Sequence, residues 1–440
     1  MNIAFFAIYY LLAAPKTNTG SRGRQRYDPK RSNSKVAPID EEANQKADPL
    51  PPPPPPTDPA GPFPSYFTCR HTYEETLIEE LTRKLPSIDA SSPYPGLVRV
   101  EDAQIEGFYE PVYALGALPE CRIIEVPESI KGLARAVTEV QEFQEQLAKA
   151  PKGSLSIHAL VPGMCKGQKD PILQRRSSLI ADAAYEILKK QYPAARKGDD
   201  APSGEDWLLQ ILLLSPDVVA VSLCKCQSIP DFPGCVWPNP SYPLGLANVD
   251  MTGRMPSSAY RKLLEAFACW GAKPSPGDIV VDLGASPGGW TAASLLLCQC
   301  RVVAVDRSVM DPRMMNNLLV KFVKGDAFAY KPTEQVAWMV SDIIAYPERV
   351  AELLGMWCSE RLARHMIVTV KFQGDKPSWD ALDAAIQIAR DNGYYARAKH
   401  FFNNKNEVTL MVQGDMSIEM SDGGMETMYP ITWPKSRTTR

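Results

Sequence analysis

Several large protein classes are excluded by what this 440-residue sequence has little of. Neither sign of charge dominates. The 48 Lys and Arg against 51 Asp and Glu leave a formal net charge of −3, which excludes a polycation that coats nucleic acid without selectivity. A local basic groove still fits inside such a total. Histidine is scarce, and His71, His158, His365 and His400 stand far apart, so each is expected to serve packing or the surface. The ten cysteines are scattered through apolar segments, unlike the dense spacing of a small secreted scaffold. Buried free thiols in a reducing intracellular compartment are therefore expected. Cys224, Cys226 and Cys235 could supply three zinc ligands, but no fourth Cys or His lies near them, and no metal is expected. The apolar block Ile3–Ala14 is too short to cross a bilayer as a helix, and no membrane partner is expected. It is long enough for a signal-peptide core, yet lacks the basic residues that normally precede one. Lys16–Lys35 is rich in Arg, Lys, Ser and Asn and nearly free of acids, the composition of an organelle transit peptide. Plastid or mitochondrial import is one reading of this segment, and a plain extension is the other.

Proline, by contrast, is concentrated. Residues 51–56 form a polyproline run inside a Pro-rich spacer, so residues 1–64 are expected to be an extension ahead of the folded chain. Folded modules follow at 65–150 and 151–227. In the first, Ser65–Arg70 reads as a strand, Glu74–Lys84 as a helix, Leu97–Val100 and Ile123–Val126 as strands, and Ile130–Leu147 as one helix with an apolar face. In the second, the strand Leu155–Val161, the helix Ser177–Lys190 and the strands Trp207–Leu214 and Val218–Cys224 make a small α+β unit that resembles a THUMP-like RNA-binding module. Pro and Gly enrichment marks 228–256 as a linker. Residues 257–413 form the candidate catalytic domain, and 414–440 a tail expected to lack a fold.

Within 257–413 the run Val280-Val281-Asp282-Leu283-Gly284-Ala285-Ser286-Pro287-Gly288-Gly289-Trp290 passes from an apolar strand through small residues into a helix. Such a turn leaves room for a ligand backed by the unpaired N–H groups of a helix start. It is not the dinucleotide fingerprint G-x-G-x-x-G, because Ser286 and Pro287 fill the middle of the turn. Strands at Arg301–Asp306, Lys321–Asp326, Val336–Asp342 and Met366–Lys371 alternate with helices at Trp290–Leu297, Pro347–Arg361 and Ser378–Asn392. This predicts an α/β, Rossmann-like doubly wound sheet. Tyr395–Phe402 and Glu407–Val412 flank Asn403–Asn406, so a closing hairpin makes the last strand antiparallel.

The Asp-Leu-Gly-x-x-Pro-Gly-Gly-Trp turn resembles the S-adenosylmethionine loop of the FtsJ family of ribose 2′-O-methyltransferases. Residues 241–412 are similar to members that modify a cytidine of bacterial large-subunit ribosomal RNA. The similarity is carried by Tyr242-Pro-Leu-Gly245, the Ser257–Phe267 helix, Val281–Thr291, Val305-Asp306, Lys331-Pro-Thr333, Trp338–Asp342, Val370-Lys371 and Asn406–Thr409. The resemblance implies S-adenosyl-L-methionine as cofactor and RNA as partner, with a monomer as the expected state. Departures are Ser286 in place of the family's Cys, and Phe372-Gln-Gly-Asp-Lys376 after Lys371, which changes the substrate side.

Ligands of open α/β sheets bind beyond the carboxyl ends of the strands. On that rim Asp306 is placed to accept the cofactor's ribose hydroxyls and Asp326 to meet its adenine, beside Gly284, Ser286, Pro287, Gly288, Gly289, Trp290 and Asp342. Either acid could instead cap a helix. Lys262, Asp342, Lys371 and Glu407 fall on the same rim and form the expected catalytic set, because a ribose hydroxyl needs a base as it attacks the sulfonium methyl. Lys371 is the candidate base. A second ammonium at Lys262 and partial burial favour its neutral form, and the two acids oppose this. Two rival readings remain: methylation of a different acceptor, such as another RNA, and an RNA-binding ribosome-assembly factor without activity. Amine acceptors need no amine base, and the complete set of four argues against an inactive site.

Overall fold

The computed structural model describes residues 52–414, apart from residues 56–60, 62, 102–108, 128, 150–153, 164–170, 198–205, 231, 240–241, 248, 252–253 and 375. The expected import segments at 3–35 and the tail beyond Gly414 lie outside the described residues.

The first module contains β1 (Ser65–Thr68), α1 (Glu74–Lys84), β2 (Asp89–Tyr94), β3 (Leu97–Glu101) and β4 (Gly116–Leu118), with strand order β2-β3-β1-β4. Acids in the first turn of α1 and bases in its last turn complement the helix dipole, while Leu77 and Leu81 bury its apolar face. The polar, Pro-containing sequence of β2 hides a strand. It is tolerated because β2 is an edge strand whose register shifts between Ser91 and Tyr94.

The second sheet is built from β5 (Arg122–Glu125), β6 (Leu155–Leu160), β7 (Trp207–Ser215) and β8 (Val218–Lys225) in the order β5-β8-β7-β6, backed by α2 (Ile130–Thr138), α3 (Gln141–Lys149) and α4 (Pro171–Leu188). Residues 122–149 thus pair with the second module, and the boundary expected at 150 moves to about Cys121. The helix expected over Ile130–Leu147 is two helices. Thr138 Oγ1 donates back to Arg135 O, and the Gln144 side chain takes the Thr138 carbonyl, so the backbone ladder stops there.

The Pro-rich segment is not a free linker. It forms the small ribbon β9 (Gln227–Ser228) and β10 (Val236–Trp237), and Ile229, Phe232, Cys235 and Leu244 are buried. Thr68 Oγ1 of β1 donates to Leu244 O at 2.9 Å, so this stretch is packed against the first module. Cys226 lies in a small cluster with Leu208 and Val236, whereas Cys235 belongs to the main core. Among the described residues no group of three or more His, Cys, Asp or Glu is placed to hold a metal, and no helix is long and apolar enough to cross a membrane.

The candidate catalytic domain runs α5 (Tyr260–Trp270), β11 (Ile279–Leu283), α6 (Gly289–Cys298), β12 (Arg301–Asp306), α7 (Pro312–Met315), β13 (Val320–Lys324), β14 (Val336–Ser341), α8 (Pro347–Ser359), β15 (Ala363–Lys371), α9 (Trp379–Asp391), β16 (Tyr394–Lys399) and β17 (Glu407–Gly414). Its seven strands lie in the order β13-β12-β11-β14-β15-β17-β16. β11 to β15 are parallel, and β17 is antiparallel to both its neighbours, as the closing hairpin predicts. Near-continuous Val and Ile in β11, β12 and β15 reflect a sheet buried on both faces.

One hydrophobic core runs from Phe67 and Leu77 of the first module into β11–β17. At the joint, Glu110 pairs with Arg397 Nε at 2.7 Å and with Lys399 Nζ at 3.2 Å, all three buried. Burial pushes the Glu110 carboxyl up, but the Arg397 and Lys399 cations outweigh it and hold Glu110 below its ordinary value. Lys399 also donates to Pro111 O at 2.9 Å and to Ala114 O, and His400 N donates to Val112 O at 2.8 Å. Removing Glu110 would leave the buried Arg397 and Lys399 cations without a counter-charge. Glu110→Leu is therefore expected to cost about 3–5 kcal/mol in denaturant unfolding, and an unchanged midpoint would show that the joint does not rely on this cluster.

Candidate active site

At the carboxyl ends of the strands, the chain reverses direction of winding between β12 and β14 on either side of β11, which opens the crevice where α/β sheets bind ligands. The loop after β11 lies there. Gly284 (φ 76°) and Gly288 (φ 113°) adopt backbone conformations that other residues rarely take. A side chain at Gly284 would also meet Ile343 Cγ1 at 2.5 Å, and one at Gly288 would meet Met314 Cγ at 2.9 Å. These glycines are needed for the turn itself and for the side chains of Ile343 and Met314 packed against it. Gly289 begins α6 against Ser257. Pro287 is exposed and its carbonyl accepts from Asp311 N at 3.0 Å. Trp290 is buried, and its indole donates to Ala259 O at 2.8 Å, so it clamps α5 to α6 and does not face the open rim.

Asp306, at the end of β12, accepts from Ser286 N at 3.0 Å and Ser308 N at 2.7 Å, which fixes its carboxylate beside the loop. Ser286 Oγ donates to Val309 O at 3.1 Å. Asp326 is exposed past β13 and already occupied. It accepts from Phe328 N at 3.0 Å and Arg307 Nη2 at 2.6 Å, which hold its carboxyl below the ordinary range. The alternative to adenine binding for Asp326 is a helix cap, and what it caps is the turn at 326–329. Gly288 at the N-cap of α6 has no side chain to cap the helix, and Asp282 beneath engages Thr291, so the earliest N–H groups of the helix are left for another acceptor. Such a helix start beside a fixed carboxylate suits a ligand that carries both an anionic group and hydroxyl donors.

Lys262, Asp342, Lys371 and Glu407 come together. Lys262, 7% exposed, reaches from α5 to both Asp342 oxygens at 2.7 Å and to Glu407 Oε1 at 3.0 Å. Lys371 Nζ lies 2.9 Å from Asp342 O, 3.1 Å from Asp342 Oδ1 and 3.9 Å from Glu407 Oε2. Its side chain is 21% exposed, so of the two amines it is the one a substrate can reach. The β15–β17 register explains the meeting, since Lys371 stands opposite Glu407. Thr369, two residues earlier on the same face of β15, donates its hydroxyl to Asp342 Oδ1 at 2.8 Å. The period-2 pattern Thr369-x-Lys371 contained that signal, and the sequence reading missed it. None of the four histidines enters this group. His71 pairs with Glu74, His365 packs on Trp338 and Trp270, His400 stacks between Tyr73 and Tyr113, and His158 is buried in β6.

A doubly wound sheet with a glycine turn after its first strand, an acid closing the second, and a Lys-Asp-Lys-Glu cluster on the same rim makes a candidate active site at the usual ligand crevice of such sheets. Residues 255–421 match the FtsJ-like methyltransferase family. The chain is similar to ribosomal RNA large subunit methyltransferase M of Xylella fastidiosa strain M23, at 33% identity over 182 residues covering 39% of this chain and 51% of the relative. The Laribacter hongkongensis relative of that name is 33% identical over 236 residues, covering 51% of this chain and 62% of its own. The Teredinibacter turnerae relative is 31% identical over 233 residues, covering 50% and 61%. The chain therefore spans about half to three fifths of the length of the curated relatives it matches.

Asp282, under the loop, also escaped the sequence reading as a site residue. It is buried and accepts from Thr291 Oγ1 at 2.6 Å. Burial pushes its carboxyl up to about 7 from 3.8, with the Asp342 and Asp306 charges adding to the shift. An acid whose value is raised on folding keeps its proton in the native state while the unfolded chain has lost it, so stability falls as pH rises from about 4 to about 7. Relative to Asp282→Asn, the native protein is expected to lose about 1.4 kcal/mol per pH unit across that window, read from denaturant midpoints. A constant difference between the two proteins would show that Asp282 is ionised in the fold.

Proposed function

We propose that this protein methylates a ribose 2′-hydroxyl of RNA using S-adenosyl-L-methionine, and that its acceptor is a cytidine of large-subunit ribosomal RNA. The observation that carries the proposal is the convergence of Lys262, Asp342, Lys371 and Glu407 beside the Gly284–Trp290 loop. The acceptor class comes from the names of the relatives, and the choice of ribose from the chemistry of the cluster. The two amino-terminal modules, the second of them THUMP-like, are proposed to hold the RNA. A 2′-OH acceptor would also reject DNA, which lacks the nucleophile.

The cofactor supplies an electrophilic methyl group on a sulfonium. Gly284, Ser286, Gly288 and Gly289 would hold it along the loop, Asp306 would accept from its ribose hydroxyls, and Asp326 would lie at the adenine end. Pro287, Trp290 and Asp342 complete the proposed wall, Trp290 from behind through α5. Lys371 acts as base in its neutral form and takes the hydroxyl proton on Nζ as the ribose oxygen attacks. With Lys371 neutral the cluster carries two carboxylates against the single Lys262 ammonium. Proton uptake restores the balance, so Asp342 and Glu407 stabilise the ammonium that forms. Lys262 keeps the two carboxylates from repelling each other and fixes Asp342 through both oxygens.

Replacing Lys371 by Met is expected to lower methyl transfer to ribosomal RNA by about 10²–10⁴-fold while cofactor affinity stays within a few-fold. Turnover that survives the replacement would remove Lys371 from the chemistry. Asp306→Ala is expected to weaken cofactor binding by about 1–3 kcal/mol in calorimetry, the cost of leaving buried hydroxyls unpaired, and an unaltered isotherm would reject its assignment. Mapping ribose methylation in ribosomal RNA from cells with and without the gene identifies the nucleotide.

A further inference from the structure

We infer that Arg70 and Glu265 are positioning residues for the transfer step, acting through the turn between β16 and β17 that carries Glu407. This rests on the function proposed above, because Glu407 matters only if the cluster does the chemistry.

The turn at residues 400–406 is organised from within and tied from three sides. Internally, Phe401 N donates to Asn404 Oδ1 at 2.7 Å, Asn404 Nδ2 donates to Thr409 Oγ1 at 3.2 Å, and His400 Nε2 meets Lys405 O at 2.8 Å. Asn404 is fully buried, although asparagine in a turn is ordinarily wet. From α5, the Glu265 carboxylate accepts from Asn403 N at 3.0 Å. From the first module, the Arg70 guanidinium donates to Asn404 O. On the third side, Asn406 O accepts from Phe372 N at 3.0 Å, and Asn406 Nδ2 donates to Phe372 O at 3.3 Å, which binds the turn to the residue after Lys371.

Two features separate this arrangement from ordinary packing. Glu265 stands one helical turn beyond Lys262, so the same stretch of α5 supplies the amine that grips Glu407 and the acceptor that holds the turn delivering Glu407. Glu265 is also a buried carboxyl, pushed up to about 7 by burial. An apolar side chain would fill that space without the desolvation penalty, and what the carboxyl adds is a fixed acceptor for the turn at Asn403 and Phe402. Arg70 follows β1, so the first module, proposed to hold RNA, touches the turn directly. Glu407 is 3.0 Å from Lys262 and 3.9 Å from Lys371, and a displacement of about 1 Å at such a site can cost about 10²-fold in rate.

The test uses the full chain with Arg70→Ala, Glu265→Ala and Glu265→Gln, each alone and combined with Glu407→Gln. Single-turnover methyl transfer is measured at saturating cofactor and ribosomal RNA, and cofactor binding by calorimetry reports whether the fold is intact. The two alanine variants are expected to slow transfer about tenfold or more with cofactor affinity within about threefold, and Glu265→Gln, which retains an acceptor oxygen, to recover most of the rate. In the Glu407→Gln background the same alanine replacements are expected to cost less than about threefold, because the group they position is already gone. Undiminished rates, equal losses in both backgrounds, or a parallel loss of cofactor affinity would overturn the inference. If Glu407→Gln itself leaves the rate unchanged, it is the proposed function of the cluster that fails.

Discussion

The antiparallel pairing of β17 on β15 is the constraint on which the candidate catalytic rim depends. It sets Lys371 opposite Glu407 at the edge where the parallel strands end, and Asp342 arrives beside them because β14 is the other neighbour of β15. Lys262 then enters from α5 and is nearly removed from water, a position tolerable for an ammonium because three carboxylate oxygens meet it. A one-residue slip of β17 would turn Glu407 to the opposite face of the sheet and leave Lys262 with a poorer complement. Sheet register and site electrostatics are thus the same fact viewed at two scales.

The first module is continuous with this arrangement. Its core merges with that of the seven-stranded sheet, the buried Glu110–Arg397–Lys399 cluster fastens it to β16, and Arg70 touches the turn before β17. The Pro-rich segment that a composition argument assigns to a linker is packed along the same joint through Phe232, Cys235 and Leu244. A rigid union of this kind fixes the distance between the first module and the rim, where a flexible tether would leave that distance to chance.

Much of the catalytic domain was legible residue by residue. Strand β12 has the predicted limits, the helices α6, α8 and α9 differ from expectation by one or two residues at their ends, and Asp342, Lys371 and Glu407 at strand ends meet Lys262 from α5. The amino-terminal part was read less well, for identifiable reasons. Polar β2 carries no apolar alternation because it is an edge strand, β4 is three residues long, and the break after Thr138 depends on side-chain hydrogen bonds that periodicity does not register. The exchange of β5 into the second sheet is a pairing choice, and a strand's sequence states that it will pair without naming its partner.

Local pattern by itself determined most element types of the seven-stranded domain, the glycine turn after β11 and the presence of acids and lysines at strand ends, because each follows from residues close together in the chain. Tertiary structure alone decided that Trp290 faces inward, that Asp326 is already engaged by Arg307, that Asp282 is sealed beneath the loop, and that Glu265 and Arg70 grip the turn before Glu407. Those outcomes are set by burial and by hydrogen bonds between segments as much as 334 positions apart. Desolvation depends on everything that surrounds a group, so no local reading of the chain can supply it.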